Sequence, residues 1–241
     1  MKLSFLGSRG YIKERSSRHW MHSSLLAEYY GRRLMVDCGE DWTGMLTGIR
    51  PHAILITHVH PDHAWGLKEG APCPVYASRE SWESRLHRYP LQDFVQVEPR
   101  RSLQVEGMTV EYFPVEHSSR APAGGYRISA GRGAGFYVPD VIYIHDRGAA
   151  LGGCRIYIGD GATIARSMVR KPGDSLVGHT PVRTQLSWCR DEGVPMAIFT
   201  HCGSDIVNSG DERARAKIAP LAEERGVEAR IAYDGMERVL R

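Results

Sequence analysis

Thr57-His58-Val59-His60-Pro61-Asp62-His63 is the stretch whose reading decides the fold. Three imidazoles and one carboxylate fall between positions 58 and 63. Just upstream, Ala53-Ile54-Leu55-Ile56 is a short apolar run that reads as a buried strand. Pro61 keeps that strand from continuing. The polar side chains are therefore expected on a loop at the carboxyl end of a strand, a common position for a site in layered α/β proteins. On an extended segment His58 and His60 point to the same side and can share one ion. Asp62 and His63 lie past the turn and can reach a second. Neutral imidazole nitrogens together with a carboxylate oxygen suit Zn²⁺ and its neighbours in the first transition row.

Working outward, strands are expected over residues 2–6, 75–77, 94–97, 103–105, 108–115, 135–141, 155–161, 196–199 and 227–232, and a hairpin over 24–30 and 33–36 turning at Gly31. Residues 8–18 and 171–178 read as loops, the second containing Pro172 and Gly173. Helices are expected over 42–49, from Ala64 onward, and over 79–88, 182–192 and 212–225, with Thr180 as N-cap of the fourth. Several of these strands end in a residue that can bind a metal or move a proton. Residues 33–36 run into Asp37, 108–115 into His117, and 196–199 into Thr200-His201. The strands near 135–141 and 155–161 end in Asp140 and Asp160. A dinuclear site needs a carboxylate that touches both ions, and the pattern alone leaves Asp140 and Asp160 as candidates.

The composition fits one folded domain over 1–241, with 42% hydrophobic and 24% charged residues. No apolar run approaches the roughly 20 residues of a membrane span, and the apolar start is too short for a signal peptide. Five cysteines, none in Cys-x-x-Cys spacing, argue against a disulfide framework and a zinc ribbon. Reduced thiols in a cytoplasmic protein are the expectation. A net charge of +3 does not require a nucleic-acid partner and is compatible with an anionic substrate. The basic groups at Arg9, Lys13, Arg15, Arg18, Arg100-Arg101 and 166–171 are expected mostly on the solvated surface. A homodimer is compatible with this composition.

His-x-His-x-Asp-His after an apolar strand resembles the signature of the metallo-β-lactamase superfamily. That resemblance implies a four-layer αββα sandwich with two divalent metal ions, Zn²⁺ before Mn²⁺. It places His117 with His58 and His60 around one ion, and His201 with Asp62 and His63 around the other. His117 followed by Gly125-Tyr126-Arg127, and Tyr137-x-x-Asp140 with Asp160-Gly161 later, resemble the phosphodiesterase branch. On that pattern Asp140 bridges the ions, while Asp160 and Asp37 stand behind the ligands. The same branch places a histidine at His179, facing the scissile group as a general acid. Asp62 and His179 are thus the residues expected to act in catalysis.

Within the branch the chain is similar to the small cyclic-phosphate phosphodiesterases, such as phosphoribosyl 1,2-cyclic phosphate phosphodiesterase, and less closely to RNase Z. RNase Z carries a Gly- and Pro-rich arm between the His117-type and Asp140-type motifs. Here the segment between Arg127 and Asp140 is short. Gly159-Asp160-Gly161-Ala162 stands where RNase Z has His-Glu-Ala-Thr, and Gly203-Ser204-Asp205 where it has Ser-Arg-Tyr. The expected substrate is a small anionic, even cyclic, phosphodiester. A nuclease acting on RNA or DNA is the alternative, followed by a thioesterase or lactonase using the same metals.

Overall fold

The computed structural model describes residues 1–171, 173 and 175–240. Pro172, in the loop expected over 171–178, lies outside the described residues. Two mixed sheets form the centre. The first contains β1 (Lys2–Gly7), β2 (Ser24–Tyr29), β3 (Arg32–Val36), β4 (Ala53–Leu55), β5 (Val75–Ser78) and β6 (Phe94–Val97). The second contains β7 (Ser102–Val105), β8 (Met108–Glu116), β9 (Ala123–Ala130), β10 (Gly133–Tyr137), β11 (Tyr143–Ile144), β12 (Ile156–Asp160), β13 (Met196–Thr200) and β14 (Glu228–Ile231). The last strand, β15 (Met236–Val239), returns to the first sheet, giving the order β15-β1-β2-β3-β4-β5-β6. The second sheet has the order β11-β8-β9-β10-β12-β13-β14, with β7 on β8. In each sheet antiparallel pairs give way to three parallel ones, β3-β4-β5-β6 and β10-β12-β13-β14.

The period-2 alternation of the strands explains the layering. Leu25, Ala27, Leu34, Val36 and Leu55 face the second sheet, where they meet Tyr126, Ile128, Tyr137, Ile156, Ile158 and Ile198 in a shared core. Leu26, Met35, Ile54 and Ile56 point the other way and pack on Trp42, Leu46, Ala64, Leu67 and Leu86. On the far side of the second sheet, Phe136, Tyr157, Ala197 and Phe199 pack on Leu186, Trp188, Ile218 and Ala222. Three apolar interfaces among two sheets and two helical layers make a four-layer αββα sandwich. The helices are α1 (Leu46–Ile49), α2 (Pro61–Ala64), α3 (Arg79–Ser84), α4 (Arg147–Leu151), α5 (Val182–Asp191), α6 (Ser204–Val207) and α7 (Asp211–Glu223). None of the helices among the described residues is long and apolar enough to cross a membrane.

Several local expectations need correction. Asp62 and His63 do not sit on a loop: Pro61 opens α2, so both belong to its single turn. Proline is pre-set for a first helical position, where its missing N–H is no loss. The helix expected over 42–49 splits at Gly44 (φ 73°) into a 3₁₀ turn, Glu40–Trp42, and α1. The one from Ala64 onward is a 3₁₀ turn, Trp65–Glu69, and the one over 79–88 breaks at Arg85, leaving α3 and a further 3₁₀ turn, Leu86–Arg88. Thr180 does not cap α5; Pro181 holds that position, and the Thr180 hydroxyl donates to the Ile142 carbonyl at 2.6 Å. Strands β9, β11 and β15 and helices α4 and α6 carry no expectation above. In β9 the pair Gly124-Gly125 suggests a turn, yet both glycines are strand residues crossed by aromatic rings. A Cβ at Gly124 would lie 2.1 Å from the Tyr112 ring, and one at Gly125 2.5 Å from Phe136. Arg9, expected at the surface, is 2% exposed and pairs with Asp41 at 2.5 Å.

Candidate metal centre

The site forms where the two sheets present the carboxyl ends of β3, β4, β8, β10, β12 and β13. The first sheet delivers His58, His60, Asp62 and His63 directly after β4. The second delivers His117 after β8, Asp140 after β10 and His201 after β13. Their donor atoms converge. His58 Nε2 is 2.9 Å from His60 Nδ1, and His117 Nε2 is 3.4 Å from the same nitrogen. Asp62 Oδ2 lies 3.1 Å from His63 Nε2 and 3.0 Å from His201 Nε2. Asp140 stands between the groups. Its Oδ2 is 3.2 Å from His58 Nε2 and 3.0 Å from His63 Nε2, and its Oδ1 is 2.8 Å from His201 Nδ1. Two donor sets result, His58-His60-His117-Asp140 and Asp62-His63-Asp140-His201, each with donor atoms within 4.8 Å of one another. A third grouping, Asp140-Asp160-His179-His201, overlaps them.

The donor chemistry fits divalent cations. His58 Nε2 and His60 Nδ1, 2.9 Å apart, can share one proton as a hydrogen bond, or turn both lone pairs onto one ion. His63 Nε2, His201 Nδ1 and Asp140 Oδ1 are buried and, although they stand 2.8–3.1 Å from neighbouring donor-set atoms, none of these approaches has hydrogen-bond geometry. Such orphaned polar atoms are expensive unless something else engages them.

A second ring of contacts fixes the donors. Asp37 Oδ2 accepts from His63 Nδ1 at 2.9 Å, which turns the Nε2 lone pair toward the centre. Thr57 donates its hydroxyl to Asp37 at 2.8 Å, and its oxygen stands 3.1 Å from His58 Nδ1. His117 Nδ1 is 3.0 Å from the Gly178 carbonyl. Ser23 Oγ accepts from the His201 backbone N–H at 2.8 Å. Asp37 and His201 both adopt left-handed backbone conformations, φ 61° and 52°, immediately after β3 and β13. These conformations are uncommon outside glycine and turn the chain sharply at a strand end.

Electrostatics divide the centre. Burial, reinforced by neighbouring imidazoles, depresses His58 well below its ordinary pKa and takes His60 to about 4. Burial likewise lowers His117. These three rings are neutral donors near pH 7. Burial opposes charge on His63 and His201 too, but the carboxylates around them win and raise both well above the usual histidine value. Asp62 and Asp140 are held well below the carboxylate range: burial opposes their charge, and the adjacent imidazoles outweigh it.

His179 stands beside the donors. Its Nδ1 is 2.8 Å from Asp160 Oδ2, and its ring stacks on His201 with centroids 5.4 Å apart. Burial works against its protonation, while Asp160 raises its pKa above the ordinary value. Asp160 is itself oriented by the Val141 and Ala162 backbone N–H groups at 3.1 and 2.8 Å. Gln185 on α5 then clamps the Asp160 backbone through its N–H and its carbonyl, at 2.9 and 2.8 Å. Gln185, Thr57 and Ser23 were not anticipated from sequence. Gln185 did leave a signal, a polar residue beside Val182, Leu186 and Cys189 on the buried face of an amphipathic helix. Thr57 and Ser23 left none. His145 and Asp146, close to Asp140 in sequence, are exposed and away from the donors.

These features define a hydrolase scaffold of the metallo-β-lactamase kind. A family model described as a Beta-lactamase superfamily domain matches residues 32–202, well over half of the chain, and the chain belongs to that superfamily. Ribonuclease Z of Methanopyrus kandleri is 31% identical over 144 residues, covering 52% of this chain and 49% of that protein. The chain thus aligns with about half the length of that relative. Zn²⁺-bound PqqB from Methylobacterium extorquens superposes with a TM-score of 0.73 at 19% identity, covering 100% of both chains. A diphosphatase from the PhnP family superposes with a TM-score of 0.72 at 18% identity, covering 100% of this chain and 98% of the other. At these identities the two structures speak to the fold alone.

Proposed function

We propose that the chain is a dinuclear metal-dependent phosphodiesterase acting on a small anionic diester. The observation that carries this reading is Asp140, whose carboxylate lies within both donor sets at 2.8–3.2 Å from His58, His63 and His201. His58, His60 and His117 would hold one ion, Asp62, His63 and His201 the other, and Asp140 both. Nitrogen-rich donor sets favour Zn²⁺, with Mn²⁺ second. When bound, the two ions would supply Lewis-acid polarisation of a phosphoryl oxygen and an activated water. The similarity to a Ribonuclease Z supports phosphodiester chemistry, and the short segment between Arg127 and Asp140 favours a small substrate over tRNA.

The residues divide the remaining work. Asp37, Thr57 and the Gly178 carbonyl select ring tautomers, so that lone pairs rather than N–H groups face inward. Asp62, ionised by its imidazole neighbours, holds its side of the site and orients the attacking water. His179 is the proton donor to the leaving alcohol, held by Asp160, whose carboxylate raises its pKa above the ordinary histidine value. Burial keeps bulk water from the donors and strengthens these interactions.

The test uses bis(p-nitrophenyl) phosphate against a thioester, with and without a chelator, and then His179→Ala. Chelator-sensitive hydrolysis of the diester alone is expected. His179→Ala should slow a diester with an alkyl alcohol leaving group by roughly 10²–10⁴-fold and a p-nitrophenyl diester far less, at unchanged metal content. Faster turnover of the thioester would reject phosphodiester specificity. Equal losses on the two diesters would reject the proton-donor role.

A further inference from the structure

Two cavities open onto the site, and they differ in what they offer a substrate. One, of about 650 Å³, begins at His179 and His201 and extends between Tyr11 and Ile12 on one wall and the 162–170 segment on the other. The second, of about 470 Å³, begins at His117 and shares no lining residue with the first. His179 therefore belongs to the larger cavity alone.

The larger cavity has a mixed wall. Tyr11 (59% exposed), Ile12 and Met168 (40% exposed) give it apolar surface. Two basic residues, Arg166 and Arg170, line the cavity, with Asp205 as the single acidic residue among the lining residues. The backbone carrying the two arginines is anchored. The buried Thr163 hydroxyl donates to the Arg166 carbonyl at 2.7 Å, and Arg170 exchanges backbone hydrogen bonds with Val177 at 2.8 and 2.9 Å. A planar guanidinium suits a phosphate, sulfonate or carboxylate, which it can engage through two parallel N–H groups.

We propose that this cavity receives the leaving alcohol of the diester, and that Arg166 and Arg170 select a leaving group bearing its own anionic substituent on an apolar body. This rests on the phosphodiesterase reading with His179 as proton donor. A proton donor must reach the oxygen that departs, so the group attached to that oxygen occupies the space His179 faces. In the step, the water oxygen forms a bond to phosphorus. The phosphorus–oxygen bond to the leaving alcohol breaks, and its electron pair stays on that oxygen. His179 protonates the oxygen and is later reprotonated by the proton released from water. The products are a phosphomonoester and an alcohol that remains, until release, against Tyr11 and Arg166.

The experiment compares methyl 4-sulfonatophenyl phosphate with methyl 4-sulfamoylphenyl phosphate, whose leaving phenols differ in charge and little in shape. A third diester, 2-sulfoethyl 4-nitrophenyl phosphate, puts the anion on the retained side. Wild type should prefer the sulfonate leaving group. Arg166→Ala should lower kcat/KM about tenfold or more for that diester and leave the other two within about twofold. Arg166→Lys should restore part of the loss. Calorimetry with 4-hydroxybenzenesulfonate on the metal-loaded protein supplies a readout without turnover, with binding expected about tenfold weaker in Arg166→Ala. Circular dichroism confirms folding of each variant, and Arg166→Gln replaces any that misfolds. Equal losses on all three diesters, or a selective loss on the 2-sulfoethyl diester, would overturn the assignment. If wild type hydrolyses no diester yet binds the sulfonate through Arg166, the phosphodiesterase reading fails and the anion subsite stands. Binding that ignores Arg166 overturns the subsite itself.

Discussion

The two sheets reach the site by different routes. The first supplies four side chains from one tight segment, positioned by a single strand end and one helical turn. The second supplies His117, Asp140 and His201 from three strand ends far apart in the chain, and these meet only because β8, β10 and β13 share a sheet. The first contribution is therefore local, and the second depends on topology and register. A local cluster survives small adjustments of the sheet, whereas the second sheet must be built to a fixed register before any of its three residues is useful.

The sharpest way to break this comparison is at Asp140, the second sheet's residue that touches both donor sets. Asp140→Ala should release at least one ion, as measured by elemental analysis of the purified protein. Hydrolysis of the diester should fall by about 10³-fold or more, since metal stabilisation of the transition state contributes several kcal/mol. Full retention of two ions would move the bridging role elsewhere, Asp160 being the carboxylate that shares the third grouping with Asp140 and His201.

The residues behind each sheet's contribution offer a finer contrast. Asp37, beneath the local cluster, touches a donor directly, so Asp37→Ala should weaken metal affinity by about 10–100-fold in a competition titration. Asp160, beneath the second sheet's donors, holds His179 instead. Asp160→Asn should keep both ions and move the alkaline limb of the pH–rate profile to lower pH. The sign follows from the raised pKa of His179: the proton donor acts below that pKa and is lost above it, and removing the carboxylate lowers it. Metal loss in Asp160→Asn would erase the distinction between the two carboxylates.

The smallest expected effect concerns stability. Gly124→Ala would force a methyl group into the Tyr112 ring, at 2.1 Å, and should destabilise by about 1–3 kcal/mol. Gly31, at the open hairpin of the first sheet, has nothing within 4 Å of a built Cβ and a φ of 76°. Gly31→Ala should therefore destabilise by about 1 kcal/mol, through backbone strain alone. Thermal denaturation of the two variants checks the order.

The same contrast explains what could be read from the chain. His58 to His63 declare a metal site because four donors in so short a span have little other use. Most of the strands were legible as apolar runs, whose alternation matches the two faces on which they are buried, while their stacking into a four-layer sandwich came from the resemblance to a family. His117, Asp140 and His201 carried only the weak signal of a polar residue at a strand end, and resemblance to a family had to choose among them. Register with distant strands leaves no local mark, which is why β15 was not foreseen. Gly124 and Gly125 mimic a turn, because the tyrosine and phenylalanine rings that make glycine necessary lie elsewhere in the sequence. Ser23 and Thr57 are invisible for a related reason, since a hydroxyl that orients a ligand looks like any other hydroxyl.

The placement of β15 bears on how the chain is made. It pairs antiparallel with β1, Lys2 opposite Val239 and Phe5 opposite Met236. During synthesis β1 emerges well before its partner on that side. Until then β1 presents a row of unpaired backbone N–H and C=O groups, the kind of edge that recruits other chains. Its other edge is covered early by β2, through the short Tyr30-Gly31 hairpin at the end of that strand. The nascent protein thus carries one exposed seam while β2 to β14 are made, and that seam can close only once β15 is available.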